Sequence, residues 1–172
     1  ASLLALLPFI DYIDTDIPIF IDAKSGVSGA GKNPSETTHY CQINDNVHAY
    51  NPFKHRHMPE IAEKVKILKG KDVSINFVPH LLPLTRGMLV SVFATLKEDI
   101  DVNEVLNNKY KDCEFVRIRE KPVDVKSVAG TNFCDLFVAK NGKALFVSSA
   151  IDNLLRGASS QAVVNANIIC GY

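Results

Sequence analysis

Residues 17–32 read Ile-Pro-Ile-Phe-Ile-Asp-Ala-Lys-Ser-Gly-Val-Ser-Gly-Ala-Gly-Lys, and the fold is decided here. A β-branched run, Ile17, Ile19 and Ile21 around Phe20, stops at Asp22-Ala23. Lys24-Ser25 and three glycines, Gly26, Gly29 and Gly31, follow. Buried strands read this way when they empty into a tight loop. Glycine lets the backbone take positive φ and come close to a ligand. Backbone N–H groups beside a lysine and two serines suit an anion or a cofactor. Gly26 to Lys32 also fits the phosphate-loop spacing G-x-x-x-x-G-K. That fit fails one residue on, where Asn33 stands in place of a magnesium-binding hydroxyl. The polar run Pro34-Ser35-Glu36-Thr37-Thr38 then lacks the apolar stripe of the helix that should follow.

The surrounding chain has 172 residues, which predicts one domain spanning 1–172 with a sizeable core. Nineteen Lys and Arg balance nineteen Asp and Glu, so no basic footprint argues for nucleic acid. No stretch approaches the ~20 apolar residues of a membrane span. Ala1–Ile10 is apolar but lacks a basic leader and a small-residue cleavage site, so it does not read as a signal peptide. The chain starts without methionine inside a helical pattern, as a cut piece of a longer protein would. Cys41, Cys113, Cys134 and Cys170 form no C-x-x-C pair, which signals neither zinc nor a redox couple. Reduced, mostly buried thiols in a cytoplasmic protein are the expectation.

Before the glycine stretch, Ser2–Ile10 reads as a helix that Pro8 ends or bends. After it, residues 33–54 are unpatterned, a long connection of the functional or mobile kind. His39 and His48 within it read as surface histidines. The next string is Lys54-His55-Arg56-His57-Met58-Pro59-Glu60-Ile61. Pro59 suits a first helical position, Glu60 a first turn, and Ile61, Val65 and Leu68 recur at helical spacing up to Gly70. His57 therefore falls just before a helix N-terminus, where the dipole tends to lower an imidazole pKa. A neutral imidazole near pH 7 accepts protons, as a general base must. Substrate contact, a structural cap, or two metal ligands if both histidines are extended are the other readings; no third ligand stands at a useful spacing.

Asp72–Pro79 alternates as a strand, with His80 beyond it. Thr85-Arg86-Gly87 opens another strand, Met88–Leu96, and an arginine beside a glycine is suited to a bidentate grip on carboxylate or phosphate, or to a surface ion pair. Asp101–Tyr110 reads as a helix and Phe115–Ile118 as a short strand. Asn132–Ala139 and Ala144–Ser149 form a hairpin about Asn141-Gly142, with Asp135 and Lys140 at its rim. Small residues Gly157 to Ser160 open a last helix lined by Val163, Val164, Ala166, Ile168 and Ile169. Short connections require mainly antiparallel pairing, so the class is α+β: a mixed, largely antiparallel sheet with helices mainly on one face.

Taken together, these strings resemble the N-acetyl-gamma-glutamyl-phosphate reductase family over essentially the whole chain. They are Asp22 to Gly31, His55 to Ile61, Phe77-Val78-Pro79-His80-Leu81-Leu82-Pro83 with Arg86-Gly87, Gly130-Thr131-Asn132-Phe133-Cys134, and Asp152-Asn153-Leu154 with Gly157-Ala158 and Gln161-Ala162. The resemblance implies a catalytic and dimerisation domain like the C-terminal domain of glyceraldehyde-3-phosphate dehydrogenase. It implies NADPH-dependent reduction of an acyl phosphate to a semialdehyde in arginine biosynthesis, through a cysteine thioester. It gives His57 the role of catalytic histidine. Lys24, Ser25, His55, Glu60, His80 and Arg86 become substrate contacts, and Ser28, Gly29, Gly31 and Asn153 cofactor contacts, with no metal. It also implies a homo-oligomer, and an N-terminal NADP-binding domain and nucleophilic cysteine upstream of Ala1. Lys32 and Ser160 depart from the family, where arginine and glycine are common. Cys134, in an apolar strand with no histidine nearby in sequence, is not the nucleophile. An aspartyl-phosphate enzyme of the semialdehyde dehydrogenase type, or a non-catalytic dimerisation module, are the alternatives.

Overall fold

A computed structural model describes residues 1–33 and 35–172, and Pro34, one of the expected loop punctuators, lies outside them. Seven strands form one sheet in the order β2-β3-β1-β4-β7-β6-β5. They are β1 (Ile19–Gly26), β2 (His48–Ala49), β3 (Ile75–Leu82), β4 (Met88–Thr95), β5 (Val116–Ile118), β6 (Cys134–Asn141) and β7 (Ala144–Ile151). Only β1–β3 and β5–β6 pair parallel. The remaining four pairings are antiparallel, as the short connections require.

Alternation along the strands separates two faces. Ile19, Ile21 and Ala23 of β1, Ile75 and Phe77 of β3, Val90 and Val92 of β4, and Leu145 and Val147 of β7 point into one core. Three helices bury their apolar positions in that same core. They are α1 (Ser2–Leu6), α3 (His57–Lys69) and α4 (Val102–Tyr110), which contribute Ala5 and Leu6, Ile61 and Val65, and Val102, Leu106 and Tyr110. Asp101 caps α4 by accepting from the N–H groups of Asn103 and Glu104, 3.0 Å each. Among the described residues, no helix contributes to the core from the opposite face. Register aligns Phe20, Phe93, Phe146 and Ala139 across it in one row. Phe20 and Phe93 are half exposed. The segment between β5 and β6 packs over one end of this face, where Arg117 donates to the Ser127 carbonyl at 3.0 Å.

Several elements differ from the reading of the sequence. β1 does not stop at Asp22-Ala23 but runs on to Gly26. Its alternation is unbroken, so Ala23 and Ser25 stay on the core face. β3 passes through Pro79 to Leu82. The Pro79 carbonyl accepts from Tyr50 N–H on the side of the two-residue β2, so the missing proline donor faces the thin edge of the sheet. The hairpin loop is Gly142-Lys143, with Asn141 and Ala144 paired and Gly142 at φ 54°. Residues 33–54 hold the short helix α2 (Tyr40–Ile43) and β2. Asp135 is buried rather than at a rim, held by Arg117 at 2.6 Å and Arg119 at 3.4 Å. Three of the four thiols, Cys41, Cys113 and Cys170, are exposed because they lie near the ends of α2, α4 and α5 (Ser160–Cys170). No residue of α5 is buried.

Candidate active site at one end of the sheet

Strands β1, β3 and β7 end, and β4, β5 and β6 begin, at the same end of the sheet. The glycine loop emerges there. Gly26 N–H donates to the Gly87 carbonyl and Val27 N–H to the Leu84 carbonyl. A Cβ on Gly26 would come within 2.6 Å of the Leu84 oxygen, so only glycine fits. Val27–Ala30 makes one 3₁₀ turn, and Gly31 leaves it at φ 83° with open space around it. Gly31 thus supplies conformation, whereas Gly26 and Gly29 supply close approach. A Cβ on Gly29 would stand 3.3 Å from Asn153 Nδ2 and 3.5 Å from Ser25 Oγ.

Asp152-Asn153 ties this end together. Asn153 Oδ1 accepts from Gly87 N–H at 2.8 Å, and its Nδ2 donates to Ser28 Oγ at 3.0 Å. Asp152, wholly buried, accepts from four donors. They are Gly130 N–H, Leu154 N–H and Leu155 N–H, each at 2.8 Å, and Arg86 Nη1 at 3.3 Å. Burial pushes the Asp152 carboxyl up, but these donors outweigh it and hold the pKa below the usual carboxylate value. Arg86 is thereby aimed by one N–H while 44% of its side chain stays exposed. A π-helical turn, Leu155–Ser159, leads from this clasp into α5; such turns are frequent at functional sites. Arg156 in that turn keeps a buried Nη1 without a hydrogen-bond partner.

The second group of side chains lies on β3. α3 begins at His57, which is its first residue rather than the one before it, and Pro59 is third. Proline is tolerated there because the first N–H groups of a helix lack intrahelical partners. His55 and His57 are neighbours through a turn, not through an extended strand. Their rings lie 4.7 Å apart, edge to face, and the His55 ring lies 5.3 Å from that of Phe77. Tyr50 borders His55 at 5.6 Å. Glu60 Oε2 stands 3.9 Å from His57 Nε2. The segment feeding this cluster clings to the edge of β3 through Phe53 N–H and the Phe77 carbonyl. Asn51 and Phe53 there take φ of 44° and 59°, a left-handed conformation rare for a bulky side chain.

The expected site residues therefore fall into three groups. Ser25, Ser28, Gly29, Arg86 and Asn153 come together at the end of the sheet. His55, His57 and Glu60 come together on Phe77. Phe77 and Ser25 share the core face, and β3 links the two groups, pairing its Leu82 with Gly26. Five residues, roughly 16 Å of strand, separate the levels of Phe77 and Leu82. Lys24 and His80 are brought to neither group. The continuation of β1 and β3 turns both toward the opposite face, where they pair in register. There His80 Nδ1 is 3.0 Å from Asp22 Oδ1, and Lys24 binds the other oxygen of Asp22. Cys134 is buried, and burial raises its thiol pKa, the setting of an inert cysteine. No group of three or more His, Cys, Asp or Glu is arranged for a metal among the described residues. Asp152 and the ring platform of Tyr50 and Phe77 went unrecognised in the sequence; the only local signals were the Asp152-Asn153 pair and the Asn51-Pro52 turn.

Residues 1–153 match the family model described as semialdehyde dehydrogenase, dimerisation domain. Over its whole length the chain is 69% identical to N-acetyl-gamma-glutamyl-phosphate reductase of Sulfurovum sp. (strain NBC37-1), of which it covers 51%. It is 57% identical over 171 residues to the enzyme of that name from Wolinella succinogenes, again covering 51%. The chain thus spans about half the length of the curated relatives it matches. Aspartate semialdehyde dehydrogenase II of Vibrio cholerae, in its complex with ASA, superposes with a TM-score of 0.77 over 98% of this chain and 59% of that one, at 19% identity. The Francisella tularensis aspartate semialdehyde dehydrogenase gives 0.73 over 98% of this chain and 61% of that one, at 13% identity.

Proposed function

The chain belongs to the family of semialdehyde dehydrogenase dimerisation domains, and from that premise we propose that it is the catalytic and dimerisation half of an NADPH-dependent acyl-phosphate reductase. The proposed substrate is N-acetyl-L-glutamyl 5-phosphate and the product N-acetyl-L-glutamate 5-semialdehyde, in arginine biosynthesis. A cysteine upstream of Ala1 attacks the acyl carbon, the carbon–oxygen bond to phosphate breaks, and a thioester forms. Hydride addition to the thioester carbon, followed by cleavage of the carbon–sulfur bond, would release the aldehyde and return the thiolate with no net uptake of a proton. His57 takes the thiol proton in the first step; in the second it holds a proton against the developing oxyanion and keeps it as the carbon–sulfur bond breaks and the aldehyde carbonyl forms. Glu60 Oε2 stands 3.9 Å from its Nε2.

Arg86 grips a carboxylate or phosphate with the donors that Asp152 leaves free. Ser25 lies beside the same loop as a substrate contact. Ser25, Ser28, Gly29 and Asn153 come together at the glycine loop, where Gly29 brings the backbone close to the Asn153 amide. Those residues and the Gly31 turn would hold NADPH, which supplies the hydride. The exposed apolar residues of α5, Val163, Ile168 and Ile169, offer a seat to the NADP-binding half. The face opposite the core helices pairs with a second copy, and Asp22, Lys24 and His80 belong to that interface rather than to the substrate. A cytoplasmic setting agrees with this chemistry, and no helix among the described residues is long and apolar enough to cross a membrane.

The observation that carries this reading is His57. It is a partly exposed imidazole at the start of α3, with a carboxylate beside it. The chain that carries it matches a reductase of this name over its own full length, about half the length of that relative. The test is an assay of the intact protein containing this chain, with N-acetylglutamyl phosphate and with aspartyl phosphate. Reduction of the first, preferred at least about tenfold in kcat/KM, is expected; preference for aspartyl phosphate overturns the substrate. The purified 172-residue chain alone, free of host enzyme, reduces neither.

A further inference from the structure

The start of α3 leaves backbone donors that the helix itself cannot satisfy. His57 N–H finds His55 Nδ1 at 3.2 Å. Met58 N–H finds the His55 carbonyl at 3.0 Å. The third residue is Pro59, which has no N–H. One residue, His55, therefore accepts from both of the first two donors, and Arg56, in the usual capping position, makes no side-chain cap. Phe77 and Tyr50 hold the His55 ring in place from two sides.

We infer that His55 is the positioning residue of this site: its Nδ1 caps the first turn of α3 and thereby fixes the backbone and ring of His57. The inference rests on the reading of His57 as the catalytic base, and it replaces the substrate contact that the sequence implied for His55. It also sets a tautomer. A nitrogen that accepts a backbone hydrogen bond carries no proton, so His55 must be neutral with its proton on Nε2. Burial lowers its pKa, and the neighbouring His57 and Arg56 lower it further. The groups facing it are the His57 ring, the Arg56 guanidinium, the Tyr50 phenol and, across His57, the Glu60 carboxylate. A protonated His55 would lose the cap.

Two variants separate capping from substrate contact. His55→Asn keeps a polar atom at the δ position, and His55→Gln moves it to the ε position. In the ¹⁵N-labelled chain, the His57 amide should exchange within about twofold of wild type in His55→Asn. It should exchange at least about tenfold faster in His55→Gln, while the Val65 amide at the centre of α3 stays protected. In the intact enzyme His55→Asn should retain kcat, whereas His55→Gln lowers kcat with KM little changed; a substrate contact would instead raise KM in both. Wild-type protein gives an answer without any variant: ¹⁵N shifts must show Nδ1 of His55 unprotonated near neutral pH. A protonated Nδ1, or equal exchange of the His57 amide in both variants, overturns the inference. None of the exchange or shift readouts uses activity, so they stand whether or not His57 proves to be the base.

Discussion

Asp152 has no exposed surface, yet it is the carboxylate on which three loops close. Its two oxygens take N–H groups from residues 130, 154 and 155 and a guanidinium from residue 86. Asp152→Ala leaves all four without a partner. It should cost about 3–5 kcal/mol of stability, the range for breaking a buried pair, as read by urea unfolding. The pH dependence has a definite sign. Folding lowers this pKa, so the carboxylate stabilises the fold above its ordinary value of about 4. That stabilisation is lost as the pH falls through the lower, folded value. Asp152→Asn should flatten this part of the acid limb; an acid limb identical to wild type would contradict the assignment. Asn153 was legible from its motif; Asp152 stood in the same string, but its role as a clasp was not legible there. Two of its four partners lie 22 and 66 residues away, and no local pattern announces contacts of that separation.

The sheet is where the reading of the sequence succeeded and failed for one reason, strand alternation. Alternating apolar positions gave the core faces of β1 and β3, and the short connections gave the antiparallel pairing. In β4 apolar residues fill both faces, Val90 and Val92 in the core and Leu89 and Phe93 opposite, so a core reading of all four fails for Leu89 and Phe93. The same alternation, followed past Asp22 and past Pro79, would have sent Lys24 and His80 to the opposite face. A lysine beside glycines and a proline inside a strand both read as loop chemistry, so each strand was ended too early. The opposite face predicts its own behaviour. Phe20 is half exposed in an aromatic row with Phe93 and Phe146. Covering that row removes apolar surface from water. Sedimentation of the chain should show a dimer, and Phe20→Lys should weaken it at least about tenfold while the monomer stays folded. An unchanged sedimentation profile would place the interface elsewhere. α5 shows the limit of periodicity: its apolar residues were visible in the sequence, but not that this chain gives them no core to enter.

At the scale of the whole molecule, the proposed function gives this chain one half of a division of labour. It supplies a positioned imidazole, an aimed arginine and a backbone cradle, all carried on the helix-covered side or at the end of one sheet. The sulfur and most of the cofactor's binding surface belong to the proposed upstream half. The most direct measurement is kcat of the intact protein containing this chain, with His57→Asn, on protein shown to be folded and of wild-type assembly state. The account predicts a loss of about 10²–10⁴-fold with substrate binding largely retained, the range for a general acid–base group. A variant that reduces N-acetylglutamyl phosphate within about threefold of wild type would contradict it.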